Sequence, residues 1–479
     1  MTIQIYNTMT RRKEPLQLRQ PGHVGLYVCG MTVYDRCHIG HARVMVVFDM
    51  MVRYLRATGL QVRYVRNFTD IDDKIIRRAG ELAISIEALT GRYIQAFQQD
   101  MAALAVLPAD IEPRATDHIA DMQQLIGRLL ANGLAYQSDG DVLFSVDRCH
   151  HYGQLSGKSL TDLEAGSRVT VNEHKHNPLD FVLWKAAKAG EPYWPSPWGD
   201  GRPGWHIECS AMSMRYLGEQ FDIHGGGLDL VFPHHENEIA QSEGSVGCHP
   251  WVRHWVHNGF VNVVAADGQR EKMSKSLGNF LTIEDLLQHY PGETIRLFIL
   301  NSHYRSPLDF SYALLAAAQA AMDRIYGALR AALPLTGDSP CEPVAEPLDQ
   351  SDRETKRFLQ AMNDDFNSSQ ALAVLFELVR QLNSAVTQRD RALACAMTGQ
   401  IRRLGTVLGL VNTDVNSWFQ RRPSLAAIDA AEIERLVCQR NEARQGRRFA
   451  EADQIRQALT DLGVILQDSA SGTSWSWQR

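Results

Sequence analysis

The stretch from His23 to Phe68 constrains the fold more than any other part of the chain. "HVGLYVCG" alternates apolar and other residues, the period of a half-buried strand. "VMVVFDMMVRYLRATG" carries its apolar residues at helical spacing, and "LQVRYVRNF" returns to the strand pattern. Strand, helix and strand in so short a length form a crossover between parallel neighbours. An open parallel sheet of the α/β class is expected. No G-x-G-x-x-G follows the first strand, which argues against a dinucleotide site.

Strand and helix meet at "YDRCHIGHAR". His38 and His41 lie three apart, so at a helix start both rings leave one face. That end of a helix exposes unpaired backbone N–H groups and the positive pole of the dipole, a natural seat for phosphate. A pair of capping or surface histidines is the plainer alternative. A second stretch of similar chemistry is "EKMSKSLGN" at 271–279. There Lys272 and Lys275 offer cations, and Ser274 and Ser276 offer hydroxyls, suited to charge growing on a departing polyphosphate. Alone, the stretch also fits a solvated surface cluster. The two in this order are far more specific than either.

A third constellation has the residue types of a metal site. In "PHHENE", His234 and Glu238 stand four apart, and Pro233 suits a first helical position, which would put both side chains on one face. Cys209, in "WHIECS", is expected just before a helix, and Cys29 ends the first strand. Cysteine, histidine and glutamate are accepted zinc donors, and four of them close a tetrahedron. His235 and Glu236 compete in the same run. Two buried cysteines with a surface histidine–glutamate pair is the structural alternative.

"HIGH" and "KMSKS" resemble the two signatures of class I aminoacyl-tRNA synthetases. "YVCGMTVYDRCHIGHAR", "NFTDIDDKI", "GWHIECSAMS", "DIHGGGLDLVFPHHENEIAQSE" and "EKMSKSLGN" together resemble the cysteinyl-tRNA synthetases, over the whole chain and without departure in these motifs. The resemblance implies one zinc ion per chain on Cys29, Cys209, His234 and Glu238. It implies Mg2+ with ATP, and L-cysteine, ATP and tRNA(Cys) as substrates. His38, Gly40, His41, Gly226, Asp229 and Lys275 fall at ATP, with His38, His41, Lys272 and Lys275 catalytic. Trp205 would wall the amino-acid pocket, and Thr69 would bond the ammonium or carboxylate of cysteine. A zinc ion suits this task, because it prefers thiolate to hydroxyl, whereas an apolar pocket separates cysteine from serine poorly. Two rival functions stay open: a ligase passing the same adenylate to an amino sugar, and a zinc-containing RNA-binding protein without catalysis.

The rest of the chain supports this organisation. A split Rossmann-like catalytic domain is expected at 1–135 and 201–310, interrupted by an insertion at 136–200. A helical bundle at 311–412 and a small α+β anticodon-binding module at 413–479 follow. The module should hold two helical pieces, a strand at "GVILQD" and a polar tail with Trp475 and Trp477. Arg440, Arg444, Arg447 and Arg448 recur at helical spacing as a basic stripe, suited to phosphate contact or to a solvated charged face. Arg444, Asp453 and Asp468 are candidates to read bases of an unstacked loop, and Trp475 to stack on one or simply pack. Eight cysteines show no C-x-x-C pairing, and no apolar run has the form of a secretory signal or a membrane span. A reduced, cytoplasmic, monomeric protein without membrane contact is expected. A net charge of −6 neither suggests nor excludes a polyanion partner.

Overall fold

The computed structural model describes residues 2–158, 175–264, 270–272, 281–337, 347–349, 351–421, 428–469 and 472–477. A four-stranded parallel sheet lies at the centre, in the order Val252–Asn258, Phe221–Gly227, His23–Val28, Gln61–Arg66. The helix Ile39–Ala57 makes the crossover expected between the strands His23–Val28 and Gln61–Arg66. It is buried nearly all round, and Phe48 lies so close to the sheet that a Cβ on Gly225 would meet its ring at 2.2 Å. The strand His23–Val28 is followed in sequence on one side and flanked on the other by Phe221–Gly227, from far along the chain. That reversal opens a crevice at the carboxyl ends of the strands, where ligands bind in open α/β sheets.

Between the two halves of the sheet the chain builds helices and then a separate antiparallel sheet. Its strands are Ala135–Ser138, Asp141–Phe144, Phe181–Ala186 and Gly201–Pro203, paired in chain order. After the central sheet, Val261–Val264 pairs with Arg270–Lys272 and with Leu308–Phe310. The hairpin Gln4–Asn7 and Arg12–Pro15 has no counterpart in the sequence reading. Its "RKEP" strand is polar and exposed, so it carries no apolar alternation. Asn7 and Thr8 bond to the backbone of Arg253 and Trp255 and hold it on the edge of the central sheet.

The helices Tyr312–Thr336, Arg353–Asn363, Ser368–Gln388 and Arg391–Val407 form the expected bundle. Buried polar groups tie it to the crossover helix. Arg296 bonds to Asp49 and, at 2.6 Å, to the carbonyl of Leu408. Glu293 accepts from the N–H groups of Val411 and Thr413 at 2.6 and 3.0 Å. Arg43, two residues after His41, is fully buried and donates to the carbonyls of Phe260, Tyr304 and Ser306.

The C-terminal segment packs the helices Ala430–Gln445 and Phe449–Asp461 against the hairpin Val464–Ser469 and Gly472–Trp477. The expected polar tail is therefore a strand. Trp475 and Trp477 are two apart, so they share one face of that strand and join Ile433, Val437 and Leu459 in a core of their own. Among the described residues no helix is long and apolar enough to cross a membrane.

Candidate active site

His38 is the N-cap of the helix Ile39–Ala57. Its Nδ1 accepts the N–H of Gly40 at 3.0 Å, and Nδ1 of His41 accepts the N–H of His38 at 3.3 Å. The two rings stack at 3.7 Å. Capping and a phosphate seat are thus not alternatives: each ring is held at Nδ1, which leaves Nε2 as its other polar atom. Burial lowers His38 to about 4, and burial together with His38 lowers His41 to about 3. Burial thus favours the neutral form of both rings at pH 7.

The chain just after the lysine-rich stretch reaches this turn. The N–H of Ile39 bonds to the carbonyl of Leu281 at 3.2 Å, and the N–H of Ile283 to that of Cys37 at 2.9 Å. On its other side the stretch leaves a strand that ends at Lys272. Ser274, Lys275 and Ser276, and the side chain of Lys272, lie outside the described residues.

At the crevice, long-range folding gathers the metal-ligating types. Cys29 Sγ lies 3.7 Å from Cys209 Sγ, 3.4 Å from His234 Nε2 and 3.5 Å from Glu238 Oε1. His234 Nε2 and Glu238 Oε1 are 2.9 Å apart. A tetrahedral zinc with ligand bonds of about 2.0–2.3 Å sets its donors roughly 3.3–3.8 Å apart; the three separations from Cys29 fall in that range, and the His234–Glu238 pair at 2.9 Å is shorter, the length of the hydrogen bond it makes without an ion. Two sequence expectations are corrected here. Cys209 lies inside the helix Trp205–Leu217 rather than before it. Regular α-helix begins at Glu236, so Pro233 and His234 occupy the preceding turn.

Four further histidines surround the cluster, and sequence reasoning assigned a role to only one of them, His235. His224 Nε2 lies 2.8 Å from Glu238 Oε2, His235 Nδ1 lies 2.7 Å from His257, and His206 Nδ1 lies 2.8 Å from Nδ1 of His234. Cys29, His224, His235 and Glu238 form a second foursome of metal-holding geometry that shares two members with the first. Without an ion, burial opposes the imidazolium of His234, but Glu238 and Cys209 outweigh it and hold it up to about 10. Burial likewise opposes the Glu238 carboxylate, yet His224 and His234 bring it down to about 2. The hydrogen bond from Cys29 brings the Cys209 thiol down to about 6, while burial pushes Cys29 well up.

Beside the cluster, Trp205 is 39% exposed and stacks on His234 at 4.3 Å. Thr69 is buried and donates its hydroxyl to Glu208 at 2.9 Å. Burial and the neighbouring Cys209 push the Glu208 carboxyl well up, against that bond. Asp229 stands exposed just past the strand Phe221–Gly227. Gly226 is less open than its sequence suggests, because the place of a Cβ is taken by His235 and Leu230 at 2.9 and 3.0 Å. Far along the chain, Arg440 is 3% exposed and bonds to Asp468 at 2.6 Å, and Arg444 reaches the same carboxylate at 2.7 Å. Those two arginines hold Asp468 well below the usual carboxylate range. Arg440 thus leaves the exposed basic stripe, and Trp475 packs, with Nε1 on Glu434 at 2.6 Å.

Residues 15–320 match the family model described as tRNA synthetases class I (C) catalytic domain, and residues 357–412 match the DALR domain. The cysteine–tRNA ligase of Magnetococcus marinus is 58% identical over 482 residues, 99% of this chain and 98% of that protein. Those of Methylococcus capsulatus and Geobacter sulfurreducens are 54% and 51% identical, each over 99% of both chains. A solved structure of Mycobacterium tuberculosis methionyl-tRNA synthetase in complex with methionyl-adenylate aligns with a TM-score of 0.58 and 15% identity, over 84% of this chain and 94% of that one. This last likeness is one of fold.

Proposed function

The chain belongs to the family of the cysteine–tRNA ligases, class I aminoacyl-tRNA synthetases, and from that premise we propose how its residues divide the reaction. Cysteine is activated with ATP to cysteinyl-adenylate and diphosphate, and the cysteinyl group passes to the 3′ end of tRNA with release of AMP. With relatives matched over 99% of the chain, neither transfer to an amino sugar nor a non-catalytic RNA-binding role has support.

In the first step a carboxylate oxygen of cysteine bonds to the α-phosphorus while the bond to the bridging oxygen breaks, and its electron pair leaves with pyrophosphate. Neutral His38 and His41 donate ring N–H groups to phosphate oxygens at the positive end of the helix dipole, with the backbone of Gly40 beside them. Lys272 and Lys275, with the Mg2+ that accompanies ATP, balance charge on the leaving pyrophosphate. Gly226 flanks the adenosine, and Asp229 accepts a ribose hydroxyl. No side chain acts as a covalent nucleophile: positioning and charge stabilisation supply the catalysis.

Cys29, Cys209, His234 and Glu238 would hold one zinc ion, which supplies a preference for thiolate over the hydroxyl of serine. Both foursomes are buried, and this one is chosen because the partly exposed Trp205 stacks on His234, which offers a wall for a substrate side chain. In this assignment His224 fixes Glu238, His206 fixes His234, and Trp205 walls the pocket. Arg444, Asp453 and Asp468 contact the anticodon loop from a module with its own core. The five-part division at 135, 200, 310 and 412, a monomeric state and a cytoplasmic location complete the proposal.

One observation carries the assignment of roles. The segment Leu281–Ile283 pairs with Cys37–Ile39 at the crevice that also holds the Cys/His/Glu cluster. That contact between the flanks of the two stretches supports the reading that both serve one site. The test is pyrophosphate exchange into ATP, which should require cysteine, reject serine and disappear with zinc. Equal exchange with serine, or full exchange in metal-free protein, would defeat the proposal.

A further inference from the structure

The helical bundle grips the helix Ile39–Ala57 at two places. Tyr54 is fully buried; its ring meets that of Phe366 edge-on at 6.0 Å, and its hydroxyl donates to Asn363 Oδ1 at 2.8 Å. Arg43 is held through an intermediary. Its guanidinium donates to the carbonyls of Tyr304 and Ser306, while the Tyr304 hydroxyl and Nε of Arg305 donate to Asp365 at 2.7 and 2.6 Å. The N–H of Tyr6, in the N-terminal hairpin, reaches the same carboxylate at 2.8 Å, and the Arg305 guanidinium lies over the Tyr6 ring at 4.3 Å. Asn363, Asp365 and Phe366 stand together where the helix Arg353–Asn363 turns into Ser368–Gln388.

Arg43 and Tyr54 are eleven residues apart on one helix. Three helical turns take about 10.8 residues, so the two side chains leave one face, about 16 Å apart along the axis. His38 and His41 stand at the end nearer Arg43. A single grip lets a helix pivot, whereas two on one face fix both its tilt and its rotation. Asp365 and Phe366 are fully buried with left-handed φ of 61° and 50°. For a residue as bulky as Phe366 that backbone is costly, and it persists where the surroundings over-determine it, as they do at sites whose position matters.

We propose that Asp365 is a positioning residue for the activation of cysteine. Through Tyr304 and Arg305 it sets the turn 303–306, that turn sets Arg43, and Arg43 sets the end of the helix on which His38 and His41 meet the phosphates of ATP. Asp365 touches no substrate. With Tyr54 as the second anchor, the bundle fixes where those two rings stand. This rests on the reading in which both histidines seat ATP. None of the four proposed zinc ligands lies on this helix, so loosening it should weaken the handling of ATP and spare that of cysteine.

The test is pyrophosphate exchange by the full, zinc-loaded chain, with rates referred to active sites counted by the burst of adenylate. Asp365→Asn keeps the shape and removes the charge opposite Arg305; Tyr54→Phe keeps the ring and removes the bond to Asn363. Each should lower kcat/KM for ATP by about three- to tenfold, the range of one lost hydrogen bond, and leave the KM for cysteine within about twofold. The double variant should fall below the product of the two losses by about threefold or more, because either anchor partly holds the helix when the other is loose. Arg305→Lys breaks the same link from its half-exposed side and should show the same split, so the link is tested even where Asp365→Asn does not fold. A merely structural role would lower the melting temperature and the number of active sites without changing kcat/KM for ATP per site. That result, equal losses for ATP and cysteine, or a double variant equal to the product would overturn the proposal. His38→Asn separates it from the reading beneath it. If that variant exchanges like the native chain, the histidine seat for ATP fails and the proposal falls with it; if it loses exchange while Asp365→Asn and Arg305→Lys do not, the proposal alone falls.

Discussion

Replacing Gly30 with alanine tests how closely the crevice is built. Gly30 follows Cys29, one of the four proposed zinc ligands, and its N–H bonds to the Asn67 side chain. A Cβ at Gly30 would stand 1.6 Å from the backbone oxygen of Asn67, whereas ordinary contact begins near 3.4 Å. The neighbour is main chain at the end of the adjacent parallel strand and has no rotamer to change. Relief requires one strand end to move by about 1.8 Å, the difference between those two distances. Metal sites tolerate departures of only about 0.2 Å in ligand distance. Disturbing a supporting contact typically costs about 10–100-fold in metal affinity, and a misplacement of about 1 Å near a reacting group costs about 100-fold in rate. Gly30→Ala is therefore expected to fold, to lose zinc to a chelator that leaves the native protein loaded, and to show exchange reduced by about 100-fold. Colorimetric zinc determination, circular dichroism and the exchange assay measure these three in one preparation. A variant that keeps its zinc and exchanges within about threefold of native would refute the steric argument.

Three further outcomes follow from the same geometry. Arg43→Met strips the carbonyls of Phe260, Tyr304 and Ser306 of their donor, at about 1–3 kcal/mol for each that stays dry; amide exchange of Val261–Val264 should accelerate, and unchanged protection would count against this anchoring. His38 and His41 are depressed below 6.5 by burial, so the unfolded chain takes up their protons first on acidification. Their contribution to stability is whole above about pH 6.5 and is lost as pH falls toward 4, and carbon-13 shifts of the labelled rings should show both neutral from pH 6 to 8; a midpoint near 6.5 would contradict it. Asp468→Ala leaves the nearly buried Arg440 without its carboxylate and loosens the C-terminal module, so charging of tRNA should fall while pyrophosphate exchange stays native; a parallel loss of both would tie Asp468 to the catalytic centre.

Periodicity and residue type determined the crossover helix, the parallel sheet and the helical bundle, because each is a pattern within one run of chain, and they singled out the two stretches proposed to handle phosphate. They also named four donors capable of holding zinc. What they left open was direction. Which of the two foursomes His234 and His235 each join depends on how the turn 231–235 enters its helix and on where His206 and His257 stand in the fold. Thr69 found Glu208 from 139 residues away, and that partner decides whether its hydroxyl gives or accepts. The tryptophans of the polar-looking tail became core once a hairpin gave them a common face, and Arg440 left the basic stripe once Asp468 came opposite. Local spacing carries the period of an element, but the side it turns to a partner far off in sequence is settled by strand order and packing, where burial makes an unpaired charge or a misplaced ring too costly to keep.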